Sequence, residues 1–137
     1  MSKIKEPEIY SYHFCIYPRI LWVVKGKCDK FIQEHFTERC GEEIVFEDES
    51  GSEASCTVLP NVCHKESGQY GYLVYVKDIR ASVGCIAHEA THVATELFCE
   101  IGSYLDPKNQ EPFAYIVGFV SDCINDAING KTKADNE

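Results

Sequence analysis

The sequence predicts an α+β domain, a small sheet of about four strands with an early helix, followed by two packed helices. Two features of the 137-residue chain point there. Its first half holds short apolar, β-branched runs separated by polar turns, which is how strands read. From about Ile79 onward the apolar residues recur at the 3.6-residue period of helices instead. The length fits one domain, because domains most often run to about 100–150 residues and such a chain buries a core without needing disulfides or metals to fold.

Taken in order, Ile20-Leu21-Trp22-Val23-Val24, closed by Lys25-Gly26, reads as a buried strand. Asp29 can cap a short helix whose apolar face carries Phe31, Ile32, His35 and Phe36, ended by Glu38-Arg39-Cys40-Gly41. Ile44-Val45-Phe46 reads as a second strand, and the acidic run from Glu47 to Ser52 as an exposed turn. Cys56–Leu59 and Gly71–Val76 read as two more strands, joined by a loop through His64 and Gly68.

Val83, Ile86, Ala87, Ala90, Val93, Ala94, Leu97, Phe98 and Ile101 then spell an amphipathic helix between about Ile79 and Ile101, with Gly102 where a helix C′ glycine belongs. After the break Tyr104-Leu105-Asp106-Pro107, a second helix runs from near Asn109, its expected N-cap, to about Ile128. Pro112 then falls in the first turn, where its missing N–H matters little. Residues 1–129 are expected to form the domain and 130–137 a polar tail.

Composition narrows the function. With 45% hydrophobic and 26% charged residues, the chain is not of a disordered class. A net charge of −9 with no compact Lys/Arg stripe argues against nucleic acid and anionic membrane surfaces. No run reaches the roughly 18 apolar residues of a membrane span, and the first residues lack the apolar core of an export signal, so a cytoplasmic location is expected. The eight cysteines are scattered with no CxxC pair, which reads as small buried side chains in a reducing compartment rather than a disulfide framework or zinc ribbon.

The long helix contains His88-Glu89-Ala90-Thr91-His92, or HExxH. Histidines at i and i+4 project from one helix face and can reach one metal ion, with the glutamate beside them to hold a water. Such a pattern arises by chance in about one chain of this kind per hundred, so its context matters. Eighteen residues separate His92 from Glu111, enough to finish one helix, turn, and return antiparallel. Glu111 in that first turn would face the motif as a third ligand, and two histidines plus a glutamate with one position open is a catalytic zinc arrangement. Glu111, Tyr115, Gly118 and Asp122 fall on one stripe, where Gly118 would let the two helices approach closely. The bland readings are a packed helix for the histidines and a favourable helix-dipole charge for Glu111.

HEATH, the spacing to Glu111 and the stretch Asn109-Gln110-Glu111-Pro112-Phe113-Ala114-Tyr115 resemble the gluzincin metallopeptidases. More narrowly, they resemble the very small zincin-like proteins of phages and prophages of gut bacteria, over about residues 79–122. The resemblance implies a minimal zincin-like fold in which His88, His92 and Glu111 bind zinc. It also implies that Glu89 is the general base for peptide-bond hydrolysis by a zinc-activated water. Larger gluzincins have an aspartate where this chain has Tyr115. Tyr115, Tyr72, His64 and Arg80 are the candidates to stabilise the oxyanion, and Tyr115 is taken as the second catalytic residue. Glu96, a turn beyond His92, is expected to point away from the metal. The strand Gly71–Val76 is expected to be the edge that holds an extended substrate. The expected cofactor is Zn2+ and the expected partner a peptide or protein substrate. The competing class is a catalytically weak or inactive zinc-binding module that acts as a regulatory or host-interaction protein.

Overall fold

Residues 71–76 and 20–24 are almost wholly apolar because both faces of their strands are covered. The computed structural model, which describes residues 6–15, 17–46 and 55–131, places them at the centre of a mixed five-stranded sheet. In chain order the elements are β1 (Glu8–His13), β2 (Ile20–Lys25), α1 (Asp29–His35), β3 (Phe36–Glu38), β4 (Cys56–His64), β5 (Tyr70–Val76), α2 (Val83–Ile101) and α3 (Glu111–Ile128). The sheet order is β1-β2-β5-β4-β3, with β2 and β5 parallel and every other pair antiparallel.

Strand alternation sorts the core into two layers. Leu21, Val23, Tyr72, Val74 and Val76 pack with Ile86, Ala90, Val93, Ala94 and Leu97 of α2 and Ile116, Val120 and Ile124 of α3. From the opposite face, Ile20, Trp22, Val24, Leu73 and Tyr75 pack with Ile32, Phe36 and Ile44. At the β2–β5 contact a side chain has no room. A Cβ on Gly71 would lie 1.9 Å from the Ile20 carbonyl oxygen, so the parallel pairing depends on glycine there.

The class agrees with expectation, and the sheet has five strands instead of about four. β1 escaped notice because its inward residues are Tyr10 and Tyr12, whose alternation with Glu8, Ser11 and His13 is less apolar than a Val/Ile strand. The segment 44–46 pairs with no described strand. Ile44 plugs the lower core, its carbonyl accepting from Gln33 Nε2 at 2.8 Å, while Val45 is exposed. Phe36 opens β3 rather than ending the helix face, and Cys28, not Asp29, is the N-cap of α1. Asp29 instead accepts a hydrogen bond from the Tyr75 hydroxyl at 2.8 Å. The acidic run 47–52 and most of the tail 130–137 lie outside the described residues.

The Ser82 hydroxyl caps α2, accepting from the Cys85 amide at 3.1 Å. Gly102 ends it in the left-handed conformation at φ 73°, with the Ser103 amide reaching back to the Phe98 carbonyl at 2.9 Å. For α3 the N-cap is Gln110 rather than Asn109, and Pro112 is in the first turn as expected. The Phe98 and Phe113 rings meet edge to face at 5.3 Å and join the last turns of α2 to the first turn of α3. Among the described residues no helix is long and apolar enough to cross a membrane.

Candidate metal centre

α2 runs across the sheet over β4, and the HExxH residues take their positions from its amphipathicity. Ala90, Val93, Ala94 and Leu97 occupy the buried stripe, which leaves His88 and His92 on the solvent-facing side. Their rings meet at a centroid distance of 4.8 Å, and the two Nε2 atoms approach to 3.1 Å. A tetrahedral ion with metal–nitrogen bonds of about 2.0–2.1 Å holds two ligand nitrogens about 3.3 Å apart. The imidazoles therefore have the separation of a two-nitrogen clamp.

Glu89 lies between them in sequence but points to the edge of the core, 8% exposed. No protein group donates a hydrogen bond to its carboxylate among the described residues. Burial pushes its carboxyl above the ordinary range, and the neighbouring His88 and His92 pull it part of the way back.

His88, Glu89 and His92 share one groove of about 350 Å³ with Glu96 on the same helix and Cys56, Thr57, Val58 and Pro60 of β4 opposite. Among the described residues this half of β4 has no partner on its outer edge, since β3 pairs only with Val62–His64. A bulge marks the boundary. Pro60 and Asn61 together oppose Tyr72, with Asn61 in the left-handed region at φ 58°. The strand expected to hold substrate, Gly71–Val76, is β5, which is buried between β2 and β4 and has no free edge. The edge beside the motif is β4.

Cys56, at the start of that edge, is a buried thiol pushed up to about 12 by desolvation and by the neighbouring Cys85 and Glu89. Thr57, Pro60, Glu96 and Cys56 went unnoticed or were discounted as groove residues. One signal was available for the strand, because a proline inside an otherwise apolar run marks an edge.

The remaining candidates lie elsewhere. Glu111 is the first residue of α3, is exposed, and is not among the described residues that line the groove of His88 and His92. Tyr115 is 74% exposed. Glu111, Tyr115, Gly118 and Asp122 all face solvent, and nothing lies within 4 Å of a Cβ built on Gly118, so that glycine is not a point of close helix approach. The helix contact is made by Phe113, Ile116, Val120 and Ile124 instead. Tyr72 donates to Glu100 at 3.1 Å inside the core layer. His64 stacks on Trp22 and bonds Ser67, and Arg80 forks onto Asp78. Among the described residues no set of three or more His, Cys, Asp or Glu side chains is placed to share one metal ion. No family model, curated protein or solved structure matches the chain.

Proposed function

We propose that the chain is a zinc-dependent metallopeptidase in which His88 and His92 hold the ion and Glu89 is the general base. One observation carries this reading. Two histidine nitrogens converge at 3.1 Å in a groove that also holds a buried carboxylate and is walled by a strand edge with no partner among the described residues. The donor set fits zinc, which takes neutral imidazole nitrogens readily. When bound, zinc supplies Lewis acidity at the scissile carbonyl and a water that ionises near neutral pH.

The chain's own groups do the rest. Glu89 accepts the proton of the attacking water. Because burial raises its affinity for that proton, it retains it long enough to deliver it to the leaving amine. An extended peptide adds to the Cys56–Leu59 edge through main-chain hydrogen bonds and is held against the exposed face of α2. The resemblance assigns the third ligand to Glu111, Tyr115 is the oxyanion donor chosen from the four candidates, and both are part of the proposal that variants must test.

A second reading has its own support. Glu111 and Tyr115 face solvent, and none of the four candidate oxyanion donors lines the groove. A zinc-binding module that holds a protein segment along β4 without cutting it fits those facts equally well. Incubating the zinc-loaded chain with a peptide library separates the two. Cleavage that disappears in Glu89→Gln while zinc is retained supports the peptidase, whereas no cleavage by the zinc-loaded wild type favours the module.

A further inference from the structure

The C-terminal half of α2 carries two acids one turn apart, Glu96 and Glu100, in opposite circumstances. Glu100 is saturated. It accepts from Arg19 Nε at 2.7 Å, from Arg39 at 2.9 Å and from the Tyr72 hydroxyl at 3.1 Å. Glu96 is half-buried and receives no hydrogen bond or ion pair among the described residues. It lines the groove of His88, Glu89 and His92, whose lining residues include no lysine or arginine. A carboxylate removed from bulk water without a countercharge attracts one from whatever enters.

We propose that Glu96 makes this groove select peptides carrying a lysine or arginine within two residues of the peptide group held over His88 and His92. The inference rests on the reading of the groove as a peptide site.

Distance sets the position. His88, His92 and Glu96 form one stripe along α2, each step rising about 6 Å. An extended peptide lying on β4 advances about 3.3 Å per residue, so one helical turn past His92 corresponds to about two residues of substrate. A lysine or arginine stem spans the remaining gap and lies along the apolar wall made by Val58 and Pro60. The same spacing argues against Glu96 as a third metal ligand. It stands about 12 Å along the axis from His88, and the described side chains form no three-residue metal group.

The test measures binding of ten-residue peptides to the zinc-loaded Glu89→Gln chain by fluorescence anisotropy, each peptide carrying lysine, norleucine or glutamate at one scanned position and no other charged side chain. At one or two adjacent positions lysine is expected to tighten binding about tenfold over norleucine, with the advantage shrinking at high salt. Adding Glu96→Gln should erase the difference, Glu96→Asp should restore part of it, and Glu96→Lys should transfer the preference to glutamate. A purely structural role for Glu96 would not reverse the preference. Equal binding of lysine and norleucine peptides, a lysine preference that survives Glu96→Gln, binding of none of the peptides, or loss of zinc in Glu96→Gln overturns the inference. Peptides bound with the lysine preference but never cut by the wild type refute hydrolysis and leave the inference standing. Peptides cut without that preference do the reverse.

Discussion

The Nε2 atoms of His88 and His92 lie 3.1 Å apart across one turn of α2, aimed at each other rather than at any third protein group. A packed core histidine donates its ring proton to a carbonyl or carboxylate. His35 illustrates this in the same chain, its Nδ1 lying 2.8 Å from the Phe31 carbonyl. Among the described residues the two motif histidines have no such partner, and each leaves its second nitrogen to solvent or to a ligand.

Glu89 works against stability in the metal-free chain. Its carboxyl is raised by burial, so the folded state binds that proton more tightly than the unfolded state does. The stabilisation this provides is fully present below the unfolded pKa and is lost as pH rises through the folded one. At neutral pH the chelator-treated Glu89→Gln variant should therefore be more stable than wild type, by about 1 kcal/mol, and should melt a few degrees higher. Thermal melts at pH 5 and pH 7.5 check this, with the advantage of the variant larger at pH 7.5.

Gly71→Ala should be among the most damaging single substitutions in the sheet. Its new methyl would lie 1.9 Å from the Ile20 carbonyl oxygen, and β2 and β5 would have to separate to accept it. Since that pair forms the centre of both core layers, a loss of about 2–4 kcal/mol is expected in urea denaturation.

Glu96→Gln and Glu100→Gln should differ although they are one turn apart. Glu100 joins Arg19, Arg39 and Tyr72, tying the end of α2 to the sheet, and its side chain is only 17% exposed. Neutralising it should cost about 1–2 kcal/mol, most of it from the Arg19 and Tyr72 bonds because Arg39 is half-exposed. Glu96 has no such partners, and its neutral variant should unfold within about 0.5 kcal/mol of wild type.

Thiol labelling should sort the cysteines by environment. Only Cys56 and Cys123 are buried, against the expectation of mostly buried cysteines, and the exposed Cys15, Cys40 and Cys99 should react first with a maleimide or iodoacetamide at pH 8. Cys56, with its thiol pushed up to about 12, should stay unmodified until the chain unfolds, as mass spectrometry of the digested protein would show. The same raised value makes the folded state lose stability as pH climbs from about 9 toward 12.

Much of the fold was legible before the structure. The β-branched run at 20–24, the 3.6-residue period of α2 and Gly102 at its end translate directly into strand, helix and stop. What escaped depends on contacts between distant segments. Cys56–Leu59 and Gly71–Val76 both read as strands, but only the pairing order decides which has a free edge, and pairing is a property of the whole sheet. For α3 the sequence carried two competing signals. Motif spacing turned Glu111 and Tyr115 toward α2, while the amphipathic pattern of Phe113, Ile116, Val120 and Ile124 turned them to solvent. Burial of four apolar side chains outweighs a single carboxylate, and the structure follows the apolar stripe. The convergence of the His88 and His92 rings was legible because i and i+4 geometry is local to one helix. Glu96 was discounted because it was considered as a metal ligand and not as a groove wall.

Zinc content tests the central claim most directly. Elemental analysis of the chain purified without chelator, beside His92→Ala and Glu111→Ala, should find close to one zinc per wild-type molecule and little in His92→Ala. Loss in Glu111→Ala as well would bring that acid into the site, and retention would leave the two histidines as the chain's own donors. No zinc in the wild type, even after zinc is added back, would contradict the metal centre and the peptidase reading built on it.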